Sequence, residues 1–260
     1  AWVPYLRDLV AVLSIVQPAQ RLILRLSRGL QKTPEHLYGL TDGLVITGAA
    51  LEGPIVFLEN GLRFEADPIH GQKTGFFLDQ RDNRARVEGL AAGKRILNVF
   101  AYNGGFSLYA ARGGAKQVAS LDISRPALVA AERNFVLNGD VPTIAAAEHQ
   151  LMAGDAFSLL AQMGSAGRRF DLVIIDPPAF AKQQSEVERA LAAYAQLTRL
   201  GLGVLQAGGT LVLASCSSRV STADFVATIT ATAADRRRPL RLFAQTAHAL
   251  DHPIGFPEGA

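Results

Sequence analysis

The feature that most constrains this chain is a change of rhythm after Gly93, where short apolar runs begin to alternate with segments of helical spacing. Residues 96–100, 118–121, 172–175, 210–214 and 240–243 read as strands, and a further strand is expected within 144–152. Helices are expected to open at Phe106 and to span 126–138, 185–205 and 222–232; Pro126 falls in a first turn, where its missing N–H costs nothing. Such alternation builds βαβ units, so the expected fold is α/β with a doubly wound, mostly parallel sheet.

The preceding residues follow another pattern. Leu6, Leu9, Val10, Leu13 and Val16 recur at helical spacing, with Pro18 as a breaker, and residues 22–24 suit a strand or short helix. Apolar runs at 44–46, 55–58 and 62–64 follow. Asn60-Gly61 separates the last two, and both residues tolerate positive φ, which marks a β-hairpin. Residues 1–70 are therefore expected to form a small α+β lobe with antiparallel strands, 71–92 a lid or connector, and 93–260 the main domain.

A hydrophobic fraction of 49% suffices for one sizeable core and a smaller lobe. The net charge of +3 permits a nucleic-acid partner without demanding one. A single cysteine, Cys216, excludes an internal disulfide and a thiolate metal cluster, and it suits a reducing, cytoplasmic setting. No apolar run is long enough to span a membrane, so no membrane partner is expected. His36, His70, His149, His248 and His252 show no metal-ligand spacing, and no metal is assigned. Arg236-Arg237-Arg238 with Arg241 reads first as a solvated helix end, with an RNA-backbone patch as the sharper alternative. The chain starts at Ala1 without Met or a secretory leader, and reads as beginning partway through a longer protein.

In doubly wound sheets, ligands sit beyond the carboxyl ends of the strands. The first such end is Asn98-Val-Phe-Ala-Tyr-Asn-Gly-Gly-Phe-Ser107, whose adjacent glycines allow close backbone approach. The second ends at Asp122, a carboxylate able to accept two ribose hydroxyls. The third is followed by Gly154-Asp155-Ala156-Phe157, placed to meet an adenine. The turn lacks the G-x-G-x-x-G spacing of dinucleotide sites. The fourth strand runs into Asp176-Pro177-Pro178-Ala179-Phe180, a stiff loop that aims Asp176 into the cleft and offers Phe180 for stacking on a planar substrate. The fifth ends in Ser215-Cys216-Ser217; a lone cysteine is usually a small buried hydrophobe, but at this edge a thiolate could add to carbon 6 of a pyrimidine. The segment 71–84 mixes glycines, charges and aromatics, and its Lys73, Arg81 and Arg84 are available to phosphates or a carboxylate.

Taken together, residues 59–64, 72–84, 98–107, 121–124 with Asn134 and Asn138, 154–157, 176–182, 215–217 and the tail from Asp251 to Gly259 resemble the RlmI-like family of large-subunit ribosomal RNA cytosine-5 methyltransferases. The resemblance implies a Rossmann-like methyltransferase sheet, S-adenosylmethionine as cofactor and 23S ribosomal RNA as partner. It assigns the cofactor to Asn98, Phe100, Gly104, Asp122 and Asp155, with Gln80 and Arg81 as neighbours. It assigns the base to Asp176, Pro177 and Phe180, and makes Cys216 the nucleophile. Three departures stand out. Nothing like the family's RNA-binding PUA domain precedes Ala1. Ala179 stands where other RNA cytosine-5 methyltransferases carry a second cysteine. The tail stops before the family's antiparallel seventh strand.

Two other readings stay open. A methyltransferase acting on another base atom, such as a guanine nitrogen, would leave Cys216 structural and make Asp176 the key group. A nucleotide-dependent oxidoreductase or non-catalytic nucleotide-binding module would share the same turn. A homodimer is also left open.

Overall fold

The structure, a computed structural model, describes residues 3–27, 29–33, 37–71, 74–247, 249 and 251. The chain divides into two compact units, residues 1–77 and 78–260.

In the first unit, α1 (Leu6–Val16) ends at Gln17, because the residue before a proline is pushed out of the helical region. Beyond Pro18, where residues 22–24 suited a strand or a short helix, the structure has a strand, β1 (Leu22–Ile23), antiparallel to β2 (Val45–Thr47). β3 (Ile55–Glu59) and β4 (Leu62–Ala66) form the expected hairpin. Asn60 and Gly61 have φ of 48° and 82°, the left-handed pair that a tight hairpin turn requires. The register sets Phe57 opposite Phe64, and both rings pack on Phe76 with centroids 4.9 Å away.

The second unit runs α2 (Arg81–Gly89), β5 (Arg95–Val99), α3 (Gly105–Arg112), β6 (Gln117–Asp122), α4 (Arg125–Leu137), α5 (Pro142–Ala146), β7 (Glu148–Ala153), α6 (Ala156–Ser165), β8 (Phe170–Ile175), α7 (Val187–Val204), β9 (Leu205–Leu213) and α8 (Thr222–Asp235). Its strands form one five-stranded sheet in the order β7-β6-β5-β8-β9, all parallel. Strand order reverses between β5 and β8, which is where a doubly wound sheet opens its ligand crevice. Helices cover both faces, so the central strands are apolar almost throughout: Leu97, Val99, Leu121, Val173 and Ile175 are buried in one cluster. Helix starts follow local capping rules. Ser124 Oγ accepts from Ala127 N, and Ser221 Oγ accepts from Asp224 N.

Two expectations need correction. Residues 240–243 are not a strand. Among the described residues no strand lies beside them to complete a ladder, Pro239 lacks a donor, and Leu242 and Phe243 stay exposed. β9 also starts at Leu205, ahead of its apolar run, with a register break and Gly208 at φ 75°. The basic run beyond α8 has a structural task in part. The Arg238 guanidinium donates to the carbonyl oxygens of Leu202, Leu205 and Gln206, covering the end of α7. Among the described residues, no helix is long and apolar enough to cross a membrane.

Candidate active site

Beyond Val99 the main chain makes three left-handed steps, at Phe100 (φ 61°), Tyr102 (φ 49°) and Gly104 (φ 77°). Each non-glycine step costs about 1–2 kcal/mol, so the surroundings must over-determine the turn. They do. Ala101 N donates to Leu121 O, Tyr102 N donates to Asp122 Oδ2 at 2.8 Å, and buried Asn134 donates to Asn103 O at 2.9 Å. Gly104 is required on two counts: its φ, and the 2.8 Å at which a Cβ would meet that of Ala131.

Asp122 is half-buried at the tip of β6. Its Oδ2 accepts from Tyr102 N and its Oδ1 from Ser124 N, each at 2.8 Å. A carboxylate oxygen accepts more than one donor, so both retain capacity for ribose hydroxyls. Gly154 N donates to Asp122 O, which ties the ends of β6 and β7. Next to it, exposed Asp155 caps α6. The Ser158 N–H and hydroxyl both donate to its Oδ1, and they hold its carboxyl below the usual range.

Under the turn runs a buried polar chain. Asn98 Nδ2 donates to Ser107 Oγ at 2.9 Å, Ser107 Oγ meets Ser120 Oγ at 2.7 Å, and Ser120 Oγ meets His149 Nε2 at 2.8 Å. His149 stacks on Phe135 with centroids 3.7 Å apart, and burial pushes its pKa down to about 4, so it is neutral. Asn98 Oδ1 is buried without a partner among the described residues. An orphaned acceptor of this kind costs about 1–3 kcal/mol, and a ligand N–H at the crevice is a donor that would relieve it.

The connector residues are engaged with one another and with the C-terminal segment. Gln80 Oε1 accepts from Asn83, whose own Oδ1 accepts from Thr246. Arg81 pairs with Asp251 at 2.8 Å and with Asp82 at 3.4 Å, and the Asp251 bond raises its pKa above the ordinary value. Among the described residues, these bonds do not run to the strand ends. Arg84 does pack there: it is buried, and its Cδ lies 3.1 Å from where a Cβ on Gly105 would stand. Gln72, Lys73, His36, His248, His252 and the tail beyond Asp251 lie outside the described residues.

Asp176 and Cys216 lie in the loops that follow two adjacent strands, β8 and β9. Asp176 N approaches Val99 O, and Ala214 N donates to Ile175 O at 3.0 Å, so the ends of β5, β8 and β9 are laced together. Cys216 is exposed, and its Sγ donates to Pro177 O at 3.6 Å. Phe180 packs edge-on against Tyr194, with centroids 5.1 Å apart. Sequence reasoning gave no role to Tyr194, nor to Ser217, Tyr102 and Ser107 within the motifs it quoted, nor to the Ser107–Ser120–His149 chain. They act through partners distant in sequence, and no local spacing announces them.

A doubly wound sheet with a strained glycine turn, an acid at the second strand tip and an orphaned buried acceptor makes this edge the candidate nucleoside-cofactor site. Comparison with known proteins agrees. The S-adenosylmethionine-dependent methyltransferase family model matches residues 33–258. A ribosomal RNA large subunit methyltransferase of Deinococcus radiodurans is 46% identical over 99% of this chain and 62% of its own length. Ribosomal RNA large subunit methyltransferase I of Aeromonas salmonicida is 38% identical over 83% of this chain and 54% of its own. A methyltransferase solved with SAH superposes with TM-score 0.71 at 25% identity, over 88% of this chain and 57% of that one. A Streptococcus mutans methyltransferase gives 0.72 at 25% identity, over 90% and 57%. The chain thus spans just over half the length of these relatives. It belongs to the S-adenosylmethionine-dependent methyltransferase family, and its sequence relatives are of the RlmI-like kind that the motifs resemble.

Proposed function

We propose that this protein is a cytoplasmic RNA methyltransferase that forms 5-methylcytosine in large-subunit ribosomal RNA through an adduct at Cys216. One observation carries the reading: the only cysteine is exposed at the tip of β9 with its Sγ 3.6 Å from the carbonyl of Pro177, within the Asp-Pro-Pro-Ala-Phe loop. The names of the relatives supply the RNA. In this reading residues 1–70 form the substrate-side lobe, 71–92 the lid and 93–260 the catalytic domain.

Bound S-adenosylmethionine supplies an activated methyl group. Asp122 would hold its ribose, Asp155 would face its adenine, and Asn98, Phe100 and Gly104 would shape the turn around it; Gln80 and Arg81 would adjoin it from the lid. Asp176, backed by Pro177 and Phe180, would hold the cytosine by accepting a hydrogen bond from its exocyclic amino group. Carbon 5 of cytosine is a poor nucleophile, so the Cys216 thiolate adds to carbon 6 and makes carbon 5 enamine-like. Carbon 5 would then take the methyl group as the sulfonium–methyl bond breaks, with its electron pair returning to sulfur and S-adenosylhomocysteine left as the second product. A base removes the carbon 5 proton, the carbon 6–sulfur bond breaks, and Cys216 leaves as thiolate.

Mass mapping of nucleosides in ribosomal RNA treated with the protein and S-adenosylmethionine tests this. The expected product is 5-methylcytidine; a methyl group on a guanine nitrogen overturns the reading.

A further inference from the structure

Resting on that reading, we propose that Tyr194 and Ser217 are positioning residues that aim Cys216 at the Asp176 loop. Tyr194 comes from α7 and is 1% exposed. Its hydroxyl meets Ser215 Oγ at 2.8 Å and Ser217 Oγ at 2.9 Å, the two residues flanking Cys216. Ser217 Oγ also accepts from the N–H groups of Phe180 (3.0 Å) and Ala181 (3.3 Å).

This arrangement fixes the direction of every proton. A hydroxyl oxygen has two lone pairs and one proton. The two N–H donors occupy both lone pairs of Ser217, so Ser217 donates its proton to Tyr194, and Tyr194 donates its own to Ser215. Two consequences follow. The loop after β8 and the loop after β9 are joined through one oxygen, Ser217 Oγ. The side chains on either side of Cys216 both point to the Tyr194 hydroxyl, so the thiol between them points away from it, to Pro177 O. The Tyr194 ring is itself wedged edge-on between Phe180 and Phe225, with centroids at 5.1 and 4.9 Å.

Tyr194 is not the missing base for the carbon 5 proton. Burial raises its pKa above the ordinary tyrosine value, so the hydroxyl keeps its proton, which it donates to Ser215. Its contribution is aim, and misplacing a reacting group by about 1 Å costs about 100-fold in rate.

Tyr194→Phe keeps the ring packing and deletes the shared hydroxyl. Expected are a fall in kcat of about 10–100-fold, an unchanged dissociation constant for S-adenosylmethionine, and at least a threefold change in the rate at which iodoacetamide alkylates Cys216. Since the chain has one cysteine, that rate reports this thiol alone. Ser217→Ala should match Tyr194→Phe, the double variant should be no worse than either, and Ser217→Thr should recover most of the loss. Alkylation rates within twofold of wild type in both single variants overturn the proposal, as does loss of cofactor affinity in step with kcat. The alkylation assay needs no RNA. If Cys216→Ala retains methyl transfer, the adduct reading fails, while alkylation still decides whether Tyr194 aims the thiol.

Discussion

The two halves of the sheet's carboxyl edge are built by different means. At β5 and β6 the backbone itself is shaped: Phe100, Tyr102 and Gly104 are left-handed, Asp122 is held by two backbone N–H groups, and a buried Asn98–Ser107–Ser120–His149 chain lies beneath. At β8 and β9 the backbone is held from outside by two prolines and one tyrosine hydroxyl, and the thiol is exposed. A rigid cradle suits a cofactor that is the same in every cycle. An exposed thiol set by side-chain contacts suits the proposed role toward a large substrate that must arrive, react and leave.

The contrast predicts that damage at the two ends separates cleanly. The largest effect is expected at β9. Cys216→Ala should lower methyl transfer by about 1000-fold or more, as loss of a nucleophile does, with calorimetric cofactor binding intact. Weakened cofactor binding in that variant would erase the division between the two ends. The converse change, Asp122→Ala, removes charge-assisted bonds worth about 1.5–3 kcal/mol each and should weaken S-adenosylmethionine binding about 100-fold, while leaving Cys216 alkylation untouched. Affinity within threefold of wild type would remove Asp122 from the cradle.

Two glycines with the same backbone angle sharpen the point about rigidity. Gly104 (φ 77°) would place a Cβ 2.8 Å from Ala131, whereas Gly208 (φ 75°) has open space. Gly104→Ala should destabilise by about 3 kcal/mol, the sum of a left-handed and an overpacking cost, and Gly208→Ala by about 1 kcal/mol. Equal losses in chemical denaturation would show that packing against α4 does not tighten the turn.

A smaller effect than that at Gly104 is a pH dependence of the cradle. His149 titrates near 4 when folded and near 6.5 when unfolded. Between those values the unfolded chain binds a proton that the folded chain refuses, so stability falls as pH drops from 6.5 to 4 and is level above 6.5. The loss should be roughly 2 kcal/mol, below the full conversion because the ring is partly accessible. His149→Phe keeps the stack on Phe135 and should lack this slope; an identical slope in the variant would place the titration elsewhere.

What was legible in the sequence was local. Strand periodicity, the Asn60-Gly61 turn, Pro126 at the start of α4 and the loops at Asp122 and Asp176 are each written within a few residues. What was not legible depends on partners. Residues 240–243 have the composition of a strand but no neighbouring strand among those described. α5 is one short turn with almost no period to detect. Tyr194 lies in a helix whose spacing gives its hydroxyl no distinction, and only the fold brings that hydroxyl to Ser215 and Ser217, in a loop that follows the helix in sequence. Arg81 read as a ligand for an anion, and its described partners are Asp82 and Asp251.

The most direct test of the account is trapping on RNA that carries 5-fluorocytidine in place of cytidine. After Cys216 adds to carbon 6 and carbon 5 is methylated, fluorine blocks proton removal, so the thiolate cannot leave. The account predicts a stable protein–RNA adduct that requires S-adenosylmethionine, maps to the peptide bearing Cys216 and is absent from Cys216→Ala. Methylation of ordinary ribosomal RNA by the same preparation, with no adduct on the fluorinated RNA, would contradict it.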